Sequence, residues 1–86
     1  MPEISRFFGI VIKMFFDDHN PPHFHASYGE EEALIEIRTL TVFAGQLPPR
    51  VLGLVIEWAT LHQQELMGDW QRGQNKQSLV KIAPLR

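Results

Sequence analysis

Cysteine is missing from all 86 positions. That excludes disulfide bridges and every metal centre built on thiolate sulfur. It leaves the redox compartment undecided, because a small domain can fold without bridges in either setting. Long apolar runs are missing as well. The longest, 7–12 and 51–56, each contain a glycine, and neither approaches the ~20 residues that a bilayer-crossing helix needs. A surplus of positive charge is the third absence. Eight Lys and Arg stand against ten Asp and Glu, for a formal net charge of −2. The cations Arg6, Lys13, Arg38, Arg50, Arg72, Lys76, Lys81 and Arg86 are scattered apart from a loose C-terminal group. A nucleic-acid-binding surface carries a basic stripe, so nucleic acid is not favoured as a partner. The opening residues Met1 to Arg6 lack the basic-then-apolar order of a secretory signal. The expected location is therefore cytoplasmic, with no membrane association.

What is present is ordinary for a soluble globular chain: 44% hydrophobic and 21% charged residues. The length predicts one domain spanning 1–86. A domain this small has stability on the order of 5 kcal/mol. Six Phe and two Trp must supply most of its packing, or a partner subunit must add to it.

The patterning predicts an α+β fold: a small, mostly antiparallel sheet of three to five strands with one long amphipathic helix packed on one face. Residues 7–16 read as one strand, with Ile10, Ile12, Met14 and Phe16 sharing a face by period two. Asp, Asn and Pro make 17–22 a turn, and Pro21 and Pro22 forbid a helix there. Residues 23–28 form the next strand, with Phe24, Ala26 and Tyr28 on one face and His23, His25 and Ser27 on the other. Gly29 and Glu30 turn into a strand over 32–38, which places Ala33, Ile35 and Ile37 inward. Leu40 to Phe43 continue as a further short strand. Pro48 and Pro49 open the helix. Its stripe Val51, Leu54, Val55, Trp58, Leu61, His62, Leu66 and Trp70 recurs at threes and fours. Gly68 and Gly73 mark its frayed end, and 79–82 form a last strand closed by Pro84.

Chemistry concentrates in one place. Asp17-Asp18-His19-Asn20-Pro21-Pro22-His23-Phe24-His25 holds three of the four histidines of the chain. Imidazole is the commonest side chain for metal ligation and for proton transfer near neutral pH. This string, with 4–12 before it, Tyr28-Gly29-Glu30 after it, and later Leu47-Pro48-Pro49-Arg50 and Glu57-Trp58-Ala59, resembles the small bacterial family catalogued as domain of unknown function 4160. The resemblance covers nearly the whole chain. It implies no activity and transfers no catalytic residue. It does imply a gene often placed beside another small uncharacterised domain, an arrangement similar to toxin–antitoxin pairs.

Four readings of the cluster follow. The first is contact with a partner protein encoded nearby, through Asp18, His19, Asn20, Pro21, Pro22, His23, Phe24 and His25. Stiffening by the prolines would lower the entropy lost on docking. In the second, His23 and His25 point from one strand face at a divalent metal, with His19 or Asp18 completing a facial set. In the third, the histidine pair cleaves RNA by acid–base catalysis, with Arg6, Lys13 or Arg38 as the cation. In the fourth, the residues only cap a turn and satisfy backbone groups. The reading placed first is a protein–protein interaction module of a two-gene, toxin–antitoxin-like pair, with no catalytic residue and no obligatory cofactor. A His-dependent ribonuclease or small metal-dependent hydrolase is the alternative. His62, Trp58 and Trp70 are expected in or beside the core, and Glu30, Glu31 and Glu32 in a solvated turn.

Overall fold

The computed structural model describes residues 3–86. Met1 and Pro2, where the N-terminal signal reading begins, lie outside the described residues. Five strands form one antiparallel meander: β1 (Glu3–Phe7), β2 (Ile10–Lys13), β3 (His23–Tyr28), β4 (Glu31–Glu36) and β5 (Val42–Gly45). Two helices follow, α1 (Pro49–Leu61) and α2 (Gln63–Gln74). The α+β class and the antiparallel sheet match the expectation, and β3 begins and ends where the alternation placed it.

The expected strand over 7–16 is two strands. Phe8 and Gly9 take positive φ values of 50° and 78°, the sense a tight two-residue hairpin requires at both central positions. Glycine supplies one such position and Phe8 is forced into the other. Phe8 is left 60% exposed, which shows that the turn overrides its apolar character. Phe16 lies beyond the end of β2 and is 46% exposed rather than inward. Ile10, Ile12 and Met14 are buried as the alternation predicts.

The register assigns the two faces of the sheet. One carries Ser5, Ile12, Ala26 and Ala33 in a cross-strand row, with Phe24 opposite Ile35. This face is the core, and α1 lies on it through Val51, Val55, Trp58 and Ala59. The Trp58 ring meets Phe7 at 5.4 Å and Phe24 at 5.9 Å between centroids. The other face carries Lys13, His25 and Leu34 in one row and pairs His23 with Glu36.

The expected single helix is broken at His62, which leaves helical geometry at φ −122° and ψ 24°. A straight helix over the whole stripe would run roughly 30 Å at 1.5 Å per residue, nearly the longest dimension of the molecule, 33 Å. The break instead keeps Leu66 and Trp70 buried while Leu61 turns outward at 67% exposure. The Gln63 carboxamide fixes the bend by donating to the Ile37 and Arg38 carbonyls at 2.7 and 3.1 Å. Gly68 and Gly73 lie inside α2 rather than ending it. Residues 79–82 do not form a strand. They are an irregular strap held by three hydrogen bonds: Val80 N–H to the buried Asp69 Oδ1, Ile82 N–H to the Ile4 carbonyl, and Trp58 Nε1–H to the Ala83 carbonyl.

The second half of α2 reaches round the end of the sheet to the β2–β3 connection. The Gly73 carbonyl accepts from Asp17 N–H at 3.4 Å, and Gln74 Nε2 donates to the Asp18 carbonyl at 3.1 Å. This docking turns the connection into a supported corner.

Candidate metal centre at the β2–β3 corner

The corner gathers Asp18 from the connection with His23 and His25 from β3. Strand alternation puts the two histidines on the same face, two residues apart, and their ring centroids are 5.3 Å apart. Asp17, at φ 55°, turns the chain so that Asp18 folds back over them. Asp18 Oδ2 lies 3.1 Å from His23 Nε2 and 3.3 Å from His25 Nε2. One donor atom from each of the three residues falls within 4.8 Å of the others.

The second ring nitrogen of each histidine decides what the first can do. His23 Nδ1 is 2.7 Å from the Pro21 carbonyl oxygen. A carbonyl only accepts, so Nδ1 carries the proton. In a neutral ring His23 Nε2 is then a bare lone pair, facing a carboxylate oxygen at 3.1 Å. Two lone pairs at that distance repel. The contact becomes attractive only with a cation between them, either a proton or a metal ion. His25 Nδ1 is buried and without a hydrogen bond, and Glu32 Oε2 lies 3.4 Å away. The backbone carbonyl behind His23 is a usual outer partner of a ligating histidine, whereas Glu32 lies near His25 without bonding it.

Burial pushes the Asp18 carboxyl up. The hydrogen bond from His19 N–H, the contact with His25 Nε2 and the charges of His23 and His25 outweigh it and hold the group below its ordinary value of 3.8. The corner therefore favours an ionised carboxylate. Aromatic rings close round it. Trp70 and Phe43 lie 5.3 and 5.2 Å from the His23 ring, and Phe15 lies edge-on to His25 at 4.6 Å. His23 keeps 4% of its surface, whereas the Asp18 side chain keeps 22%, so the open side of the cluster is at Asp18.

The structure divides the segment read as a contact surface. Phe24 is fully buried in the core, and Pro22 and His23 are buried too. These three offer a partner no surface, which corrects the picture of an exposed patch around Phe24. His19 and Asn20 are exposed, and Asp18, Pro21 and His25 are half-buried. His19 stands outside the convergent set, contributing only its N–H to Asp18 Oδ1 at 2.9 Å. Glu32, expected in a solvated turn, is exposed as expected but lies in β4, with Oε2 3.4 Å from His25 Nδ1. The register sets it opposite Ser27, two residues along β3 from His25, a placement that becomes visible only once the hairpin pairing is known. Lys13 faces His25 across the β2–β3 ladder, Arg6 pairs with Glu3 at 2.8 Å, and Arg38 is exposed. His62 is half-buried on the helices and contacts Glu65 at 2.5 Å, remote in role from the cluster.

Two cavities, of about 340 and 130 Å³, are lined by residues 60–65 and by residues of α2 with Val80 and Ile82. Neither borders the cluster. No helix among the described residues is long and apolar enough to cross a membrane. Residues 9–71, more than two thirds of the chain, match the family described as Domain of unknown function (DUF4160). No curated protein and no solved structure gives a significant match.

Proposed function

This chain belongs to the DUF4160 family, and from that premise we propose that it is a small binding module whose β2–β3 corner holds one divalent transition-metal ion through Asp18, His23 and His25. The observation that carries the reading is the convergence of three donor atoms on one point, with the His23 proton committed to the far side of its ring. With bonds of about 2.1 Å, a tetrahedral ion sets its ligands roughly 3.4 Å apart. The carboxylate already stands 3.1 and 3.3 Å from the two nitrogens. A single divalent ion would accept the lone pairs of all three groups at once. A nitrogen and oxygen donor set without sulfur suits Zn²⁺ or Fe²⁺.

Tag-free protein dialysed against zinc should retain one equivalent per chain. Asp18→Asn and His25→Gln should each weaken retention at least tenfold, and His62→Gln should leave it unchanged. Full retention by Asp18→Asn would refute the site.

A second reading keeps the corner as a contact for a separately encoded small protein, in the manner of a toxin–antitoxin pair. Exposed aromatic surface favours it: Phe16, three residues before His19, is 46% exposed, and Phe43, which meets the His23 ring, is 45% exposed. Co-expression with the neighbouring gene product, followed by purification in the presence and absence of a chelator, tests this reading. Separation of the two proteins in both conditions would reject it. Hydrolysis, of RNA or by a metal-bound water, is the enzyme alternative. It predicts cleavage that His25→Gln abolishes.

A further inference from the structure

The three-residue donor set leaves a coordination position on the Asp18 side, where the corner is open. One further imidazole stands beside it. His19 is exposed and adjacent in sequence to a ligand, yet it lies outside the convergent donor atoms of its own chain. Its backbone N–H is tied to Asp18 Oδ1, so the peptide that carries it is fixed by the same carboxylate that faces the histidines. The α2 end anchors Asp17 and Asp18 from behind. Phe16, three residues before His19, is exposed on the same segment.

We propose that a second copy of this chain completes the site: His19 of each copy supplies the missing ligand to the ion held by Asp18, His23 and His25 of the other. A two-fold axis makes the arrangement self-consistent, because one patch presents both an incomplete ion and the donor that completes its twin. The same apposition covers Phe16 in both copies. The charges permit it. Within 16–25 the only charged side chains are Asp17 and Asp18. Asp18 is neutralised by the ion, and Asp17 has Lys76 Nζ 3.7 Å away. The inference rests on the metal reading and deepens it by naming the fourth ligand.

Light scattering coupled to size exclusion, with zinc uptake measured on the same fractions, separates the two claims. With one equivalent of zinc, the chain should elute at twice its 9.9 kDa mass and return to the monomer on chelation. His19→Ala should bind zinc with at most a tenfold loss in affinity and remain monomeric. A Phe16→Ser variant should weaken dimerisation while keeping zinc. Zinc uptake by a wild-type monomer overturns the bridge and leaves the three-residue site standing, as does a zinc dimer that His19→Ala forms equally well. No uptake at all overturns both.

Discussion

At the scale of single residues, Asp18 is the most consequential side chain outside the core. Its carboxyl is ionised more readily in the folded chain than in an unfolded one, so folding gains from it above the ordinary value of 3.8. That gain disappears as pH falls through the lower folded value. In metal-free protein, Asp18→Asn should therefore cost about 1–3 kcal/mol near neutrality. Its stability should also fall less steeply than that of wild type as pH drops below about 4. Chemical denaturation across this range reads both effects, and parallel curves for the two proteins would show that Asp18 contributes no ionic contact. The histidine cluster was legible at this scale because strand alternation alone puts His23 and His25 on one face. The exclusion of His19 was not, since it depends on the path of a turn that has no period. Glu32 was missed for a related reason: its closeness to His25 comes from hairpin register, which joins positions distant in sequence.

At the scale of elements, the meander rests on a few backbone positions. Gly45 has φ +72°, and a Cβ there would lie 2.1 Å from the Glu32 carbonyl oxygen. That carbonyl also accepts Gln46 N–H at 3.1 Å, so β5 joins β4 through close backbone approach. Gly29 has φ +60° with open space around it. Gly45→Ala should thus cost more than 2 kcal/mol and loosen β5, whereas Gly29→Ala should cost about 1 kcal/mol, from the left-handed conformation alone. Denaturant titration of the pair decides, and equal costs would contradict the β4–β5 contact. The bounds of β3, the inward face of β4 and the buried stripe of α1 were legible from periodicity, whereas β4 and β5 run 31–36 and 42–45 in place of the expected 32–38 and 40–43. The β1–β2 hairpin was not, because Phe7-Phe8-Gly9-Ile10 carries no polar turn residue and Phe8 takes the turn conformation despite its ring. The break between α1 and α2 was equally hidden. His62 neither caps nor breaks a helix by propensity, and the bend is set by Gln63 reaching carbonyls beyond β4.

At the scale of the whole molecule, two long-range attachments close the fold. The strap over 80–83 joins Asp69, Ile4 and Trp58, and the α2 end secures the β2–β3 corner. Trp58 is fully buried and donates to Ala83. Trp58→Phe should cost about 2–4 kcal/mol through a smaller ring and a lost hydrogen bond. It should also raise hydrogen exchange at Ile82 N–H, which bonds Ile4, well above that at Leu66 N–H. Uniform acceleration across the chain would mean that the strap does not open separately. The class of the fold could be read from the sequence, but not the role of 79–82, whose apolar alternation is used to bind the strap across β1 and α1 instead of extending the sheet.

The corner's metal chemistry is tested most directly by following the ring nitrogens of His23 and His25 by ¹⁵N NMR during a zinc titration. Both Nε2 resonances should move to metal-bound positions and saturate at one zinc per chain. The proton on His23 Nδ1 should persist, held by the Pro21 carbonyl, and His62 should not respond. A proton remaining on His23 Nε2 at excess zinc would contradict the site.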